Sequence, residues 1–273
     1  MSNPVGNKLL GALSAPVLTH LLPHLERAEL TLGEVLYTSG SALKFVYFPT
    51  TAIISLLNVM VNGASAEIAV VGNDGIVGIA VFMGGITTTH QAVVQSAGDV
   101  YRMPVAVLLK EFSDSRELQH LLLRYTQALF TQTAQTAVCN RHHSIDQQLC
   151  RWLLSSLDLL TNAHIVMTQE LISNMLGVRR QGVAEAANKL QEAGMIKYNR
   201  GKIKVVNRPK LEARVCECYI TVKQEYERLM SGANIAQIRD AALKHSHEIN
   251  VPESHNNAMT ESQARRYLAG ETA

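Results

Sequence analysis

The chain has 273 residues, 47% hydrophobic and 18% charged, with a formal net charge of +2. That size allows one large or two ordinary domains with a real core. A whole-chain charge this close to zero neither argues for nor against a polyanionic partner. The four cysteines, Cys139, Cys150, Cys216 and Cys218, are too few and too scattered for a disulfide scaffold, so reduced thiols in a cytoplasmic protein are expected. The N-terminal stretch, broken by Gly11 and Pro16, lacks the pattern of a signal peptide. The longest nearly apolar run, Ile76 to Ile86, is about half the ~20 residues of a membrane helix, and no membrane partner is expected.

In chain order, residues 9–30 carry leucines at helical spacing (Leu9, Leu10, Leu13, Leu18, Leu21, Leu22, Leu25) and predict one or two short helices. From Leu32 to Met103, runs rich in Val, Ile, Thr and Tyr alternate with glycine and Asn-Gly or Asp-Gly breaks. Asn62-Gly63 between two such runs predicts a hairpin with a tight primed turn. The spacing suggests a compact antiparallel barrel or roll. Pro104 opens a helical region in which Leu118, Leu122, Tyr125, Leu129, Gln132, Thr136 and Cys139 recur in steps of four and three. Heptad spacing on a helix longer than its neighbours points to a dimer seam at Leu118, Leu122, Tyr125 and Leu129. A second helix, about Ile145 to Leu160, holds the single tryptophan, Trp152. Asn207 and Pro209 start a last amphipathic helix through Leu211, Val215, Tyr219, Val222, Tyr226 and Leu229. From Ser231 the composition turns polar and His-rich, and 231–273 is expected to be a poorly ordered tail.

Charge is distributed unevenly. Between Ile165 and Arg214 stand ten basic residues and four acids. That segment is +6 and the rest of the chain −4, the footprint of a phosphate-binding face. Within it, Thr168 is a good helix N-cap with Glu170 in the first turn, and Leu171, Ile172, Met175 and Leu176 predict a buried stripe. Gly177 sits where a tight turn requires positive φ. A second helix follows with Val183, Ala186, Ala187 and Leu190 inward. Two short helices joined by a glycine turn are the helix-turn-helix plan, whose second helix enters the major groove. That helix opens Arg179-Arg180-Gln181, side chains that pair bidentately with guanine and adenine. Beyond Gly194, two strands around Asn199-Arg200-Gly201 predict a basic wing. A generic helical hairpin with a polar surface is the bland alternative, and the order and spacing of these elements argue against it.

The stretch TQELISNMLGVRRQGVAEAANKLQEAGMI resembles, without a gap, the DNA-binding signature of the Crp–Fnr superfamily. GEVLYTSG, VYFP and NDGIVGIAVF resemble its β-roll more weakly, and the resemblance runs over roughly 15–207. It implies an α+β fold: an N-terminal antiparallel, cupin-like β-roll, a long dimerisation helix and a C-terminal winged helix-turn-helix. The implied divisions are a sensor roll at 1–115, the dimer helix at 116–143, the DNA-binding domain at 144–230 and the tail. Implied partners are double-stranded DNA, a second copy of the chain as a homodimer, RNA polymerase and an unknown small-molecule effector. Arg180, Gln181 and Glu185 fall at the positions that meet base edges. Thr168, Gln169, Arg179, Lys189, Arg200 and Lys202 complete the expected DNA contacts. Glu185 stands where the best-known members carry an arginine, and Arg179 replaces the usual Ser or Thr cap, so the operator cannot be borrowed from the family.

Members that bind cyclic nucleotides set an arginine against the phosphate and a glutamate on the ribose. Here no Lys or Arg occurs between Lys44 and Arg102, and no Asp or Glu between Asp74 and Asp99. A buried phosphate without a paired cation is costly by several kcal/mol, so the usual cyclic nucleotide ligands are expected to be lost. Gly78, Thr88, Thr89 and His90 remain as candidate linings for a less charged effector. No cofactor and no metal is expected: the family's iron–sulfur ligands near the N-terminus are missing. Cys216 and Cys218, two apart on one helix, would point about 200° away from each other. His142-His143 beside Cys139 is expected to be an exposed hinge, with a haem or metal site as the alternative. No nucleophile motif, phosphate loop or paired carboxylates suggest an enzyme. Two function classes stay open: a dimeric DNA-binding regulator, and a sensor or adaptor whose helix-turn-helix contacts protein. The aligned cations favour the first.

Overall fold

The computed structural model describes residues 3–160, 164–199 and 201–231, with backbone alone for 164–166. The expected tail, apart from Ser231, lies outside the described residues, as does Arg200. The chain opens with α1 (Lys8–Gly11) and α2 (Ala15–Leu21), which bury Leu9, Leu10 and Leu21. The helical reading of residues 9–30 ends early. Pro23 sits in a single 3-10 turn, Leu22–His24, and Glu26–Leu30 is a strand, β1. Proline denies the helix an amide, and from Arg27 to Leu30 exposed residues alternate with the more buried Ala28 and Leu30, a period of two.

Six more strands follow: β2 (Val35–Tyr37), β3 (Phe45–Pro49), β4 (Ile53–Val59), β5 (Ser65–Val71), β6 (Gln91–Ser96) and β7 (Gly98–Pro104). They pair antiparallel in two sheets ordered β1-β7-β3 and β2-β6-β4-β5, a roll rather than a closed barrel. The Asn62-Gly63 hairpin is present, but Val59 pairs with Ser65. The connection therefore has five residues, closed by Met60 N–H donating to the Ala64 carbonyl at 2.7 Å. Five successive residues of β4 are buried. Ile54 and Leu56 face the roll core, while Ile53 and Leu57 pack on the far side against later helices.

Helix α3 (Val105–Asp114) leads into α4 (Arg116–His142), whose first turn is capped by Ser115 Oγ accepting from the Leu118 amide. Leu118, Leu122, Tyr125 and Leu129 are all buried in the core of their own roll. The seam assigned to them is corrected on that ground: side chains already desolvated within one chain have no surface for a second. Gly75 shows how close the fit is, since a Cβ there would lie 2.2 Å from the Tyr125 hydroxyl.

After α5 (Ile145–Leu159), with its Ser144–Gln147 capping box, come β8 (His164–Val166), α6 (Gln169–Leu176), α7 (Arg180–Glu192), β9 (Ile196–Asn199) and β10 (Lys202–Val205). These three strands form a sheet ordered β8-β10-β9. A second core gathers Trp152, Leu153, Ile172, Val183, Leu190 and Ile203. The single C-terminal helix expected from residue 207 is two: α8 (Arg208–Arg214) and α9 (Glu217–Met230). Val215 between them is extended, with ψ 153°. The break lets Arg214 reach Asp146 at 2.8 Å and lets α9 run back along α4, from Cys218 beside Gln135 to Tyr226, whose hydroxyl donates to the Asp74 carbonyl. Cys216 is thus the extended N-cap of α9 rather than a helical residue, and the 200° argument for Cys216 and Cys218 does not apply. Beside this start of α9, His142 is exposed but His143 is not, with 15% of its side chain accessible. No helix among the described residues is long and apolar enough to cross a membrane.

Candidate DNA-binding site

The site is built from two helix ends and a hairpin. Thr168 Oγ1 accepts from the Leu171 amide at 3.2 Å and so fixes the start of α6. Ile172, Met175 and Leu176 are buried as expected, but Leu171 is 37% exposed and Ser173 takes the inward place, its hydroxyl donating to the Glu170 carbonyl. Gly177, with φ 65°, ends α6 in the left-handed conformation. Arg179 caps α7 without a side-chain hydrogen bond, leaving its guanidinium out of the helix start. Val183, Ala186, Ala187 and Leu190 pin one face of α7 to the core. The opposite face presents Arg180, Gln181, Glu185 and Lys189 to solvent.

Glu185 accepts from Gln181 Nε2 at 3.1 Å, one helical turn apart. The Gln181 amide is therefore held in one orientation, and the two arginines are not engaged by Glu185. The hairpin of β9 and β10 turns at Gly201, whose φ of 76° suits glycine. Tyr198 N–H donates to Gln191 Oε1 at 2.8 Å, which ties the hairpin to α7. The Gly201 turn also lies beside Thr168: a Cβ at 201 would be 3.7 Å from Thr168 Cγ2. Thr168, with Gln169 next to it, and Lys202 thus share one side of the domain. Lys204 pairs directly with Lys197 across the two strands, a like-charge neighbour pair that destabilises a sheet unless something anionic covers it.

The basic block divides in two. Among the described residues, Arg179, Arg180, Lys189, Lys197, Lys202 and Lys204 are exposed or N-terminal to α7 and make no ion pair. Arg208 and Arg214, by contrast, are spent inside the fold. Arg208 bonds Asp158 and Glu212, at 2.5 and 2.7 Å, and Arg214 bonds Asp146. Two short helices with a left-handed turn, an exposed cationic helix start and a cationic hairpin make a surface that can meet phosphates and base edges together.

Residues 147–214 match the Crp-like helix-turn-helix domain. The chain therefore carries a helix-turn-helix domain of the Crp-like kind. The fold extends well beyond the Crp-like domain itself. FixK2 of Bradyrhizobium japonicum superposes with a TM-score of 0.61 at 15% identity, over 70% of this chain and 98% of that one. A crp/fnr-family regulator of Eubacterium rectale gives 0.62 at 15%, over 77% and 98%. A CRP-family regulator of Thermus thermophilus gives 0.59 at 14%, over 68% and 95%. No curated protein matches the chain by sequence.

Beyond the Crp-like domain, the effector residues separate. Gly78, Thr88 and His90 line one cavity in the roll with Tyr37, Ile76 and Leu129, whereas Thr89 is exposed and outside it. Its volume is about 10 Å³, room for about one water. His90 accepts or donates at both ring nitrogens, to Tyr37 Oη at 3.0 Å and Thr88 Oγ1 at 2.6 Å. Burial holds its pKa below the ordinary value, which favours the uncharged ring.

Two groups of residues escaped sequence reasoning. Lys197 and Lys204 belong with Lys202, and strand alternation around Ile203 could have placed Lys204 beside it. The other group lies on α4. Its outward face carries Leu123, Gln127, Phe130, Ala134 and Val138, with Phe130 69% exposed. These too are spaced by steps of four and three, and the larger buried stripe drew the assignment.

Proposed function

We propose that the chain acts in the cytoplasm as a homodimer that reads a two-fold operator through α7, with the helix at 116–143 as the dimer element and the roll at 1–115 as a sensor. The carrying observation is the set of exposed, unpaired cations at the start of α7 and along β10. Arg180 and Gln181 read base edges, with Glu185 orienting Gln181. Arg179, Lys189, Arg200, Lys202 and the start of α6 at Thr168 and Gln169 meet phosphates. The dimer seam is the outward stripe of α4 from Leu123 to Val138, which carries exposed Leu123, Phe130 and Val138 at steps of seven and eight residues. The roll has lost the usual cyclic nucleotide ligands: the cavity beside Gly78, Thr88 and His90 is near the volume of one water, burial disfavours a charged His90 ring, and no lysine or arginine lies between Lys44 and Arg102. A small uncharged effector, and contact with RNA polymerase when bound to DNA, complete this reading.

The test is a set of binding isotherms on fragments selected from genomic DNA by the purified protein, at several salt concentrations. Arg180→Ala should cost about 1–3 kcal/mol and relax preference at one operator position. Lys202→Ala should weaken binding to all sequences alike and lower the salt slope by roughly one unit per half-site. Equal, sequence-independent losses for both variants would exclude α7 from the major groove.

A further inference from the structure

The end of α4 and the start of α9 bring three thiols and an imidazole to one point. Cys139 lies in the last turn of α4, and His143 is the extended C-cap that follows it. Cys216 is the extended N-cap of α9 and Cys218 its second helical residue, so both reach the same side. Cys139 Sγ lies 3.6 Å from Cys216 Sγ, and Cys218 Sγ lies 3.4 Å from His143 Nδ1. All four donor atoms fall within 4.8 Å of one another. A tetrahedral zinc ion with Zn–S of about 2.3 Å and Zn–N of about 2.0 Å spaces its sulfurs ~3.8 Å apart and sulfur from nitrogen ~3.5 Å. The closest pairs already stand near those separations. The spread also leaves room for one ion, not for a cluster with several irons between the sulfurs.

The surroundings match a ligand set better than a packed thiol cluster. The three cysteines are buried. His143 turns its other ring nitrogen, Nε2, toward Glu217 Oε1 at 3.3 Å, the carboxylate–histidine arrangement that fixes a ligand's ring and tautomer. Gln135 Nε2 donates to Cys218 Sγ at 3.2 Å. Cysteines serving only as small apolar fillers would need neither an amide nor an imidazole nitrogen aimed at sulfur.

We propose that Cys139, His143, Cys216 and Cys218 bind one thiophilic divalent cation of the zinc class in a closed structural site that ties the end of α4 to the start of α9. Four protein donors leave no open position, so the ion is structural rather than catalytic. On binding, the three thiols release their protons to solvent as sulfur takes the metal, and no electron is transferred. The ligands bracket residues 144–215, and the Crp-like domain at 147–214 lies wholly between them. The ion would therefore fix both ends of that domain against the long helix, coupling metal occupancy to how it is held.

The test uses the full-length chain, reduced and stripped of metal, titrated with Co²⁺ and then Zn²⁺ in competition with a chromophoric chelator. No DNA is involved, so the outcome is independent of the operator-reading proposal. One equivalent of Co²⁺ per chain should give thiolate charge-transfer absorption and tetrahedral d–d bands, displaced by Zn²⁺, and Zn²⁺ should raise the melting temperature. Glu217→Gln keeps every ligand in place and should weaken Zn²⁺ binding about 10- to 100-fold. Cys139→Ser, Cys216→Ser and Cys218→Ser should lose more than that, while Cys150→Ser, in α5 and outside the cluster, should bind as the parent does. Should a serine variant fail to fold, Glu217→Gln carries the test alone. The proposal is overturned by substoichiometric uptake, by undiminished binding in the folded variants, or by a reduced protein that refuses metal yet forms a Cys139–Cys216 disulfide in air.

Discussion

The two faces of α4 carry the same spacing and meet different fates. Leu118, Leu122, Tyr125 and Leu129 are consumed by the roll, whereas Leu123, Phe130 and Val138 are exposed. The period of a stripe says that it is one face of a helix. It does not say whose surface lies opposite. The cations of the C-terminal domain repeat the lesson, with Arg208 and Arg214 committed to carboxylates and Arg180 and Lys202 left over. Function in this protein is found among what the fold does not use.

The sharpest way to break this comparison is to charge each face of α4 in turn. Leu122→Glu would bury an unpaired carboxylate in the roll core and should cost more than about 4 kcal/mol, with loss of the cooperative transition in denaturant titration. Phe130→Glu should leave the melting transition within about 0.5 kcal/mol of the parent yet shift sedimentation from dimer to monomer at micromolar concentration. A parent that is itself monomeric there would remove the seam altogether.

The second-largest effect on stability is expected behind β4. Ser55 Oγ lies 2.5 Å from Glu67 Oε2 and 2.9 Å from Gln95 Oε1, and Gln95 Nε2 donates to Ser156 of α5. A hydroxyl has one proton for two acceptors, a conflict resolved when a protonated Glu67 donates to Ser55. Burial raises the Glu67 carboxyl to about 7. A raised folded pKa gives stability that is complete below the unfolded value and lost as pH climbs through the folded one. Glu67→Gln should therefore stabilise the protein by up to about 3 kcal/mol at pH 8 and change little at pH 4, as read by melting temperatures across that range. A flat difference over the whole range would mean that Glu67 is ionised throughout.

The smallest effect separates the two classes of cation. Arg208→Ala breaks bonds to Asp158, Glu212 and the Tyr219 hydroxyl. Because that side chain is partly exposed, the loss should be only about 1 kcal/mol of stability, with the salt slope of DNA binding unchanged. Lys202→Ala should do the reverse, and a changed salt slope in Arg208→Ala would blur the distinction between spent and free cations.

Sequence by itself determined the local grammar. Thr168 caps, Gly177 turns and the inward residues of α7 are legible because each answers a need met within a few residues: an orphan amide, a positive φ, a helical period. The cationic start of α7 and the wing were legible for the same reason. Tertiary structure alone decided which partner each stripe and charge would have. The buried face of α4 and the loss of Leu171 to solvent depend on surfaces far away in the chain. So does the break at Val215, where Arg214 turns to Asp146 and α9 turns back along α4. That break moved Cys216 off the helix and beside Cys139, 77 residues away in sequence. No spacing rule could have brought them together, because the distance is closed by packing and not by the period of either helix.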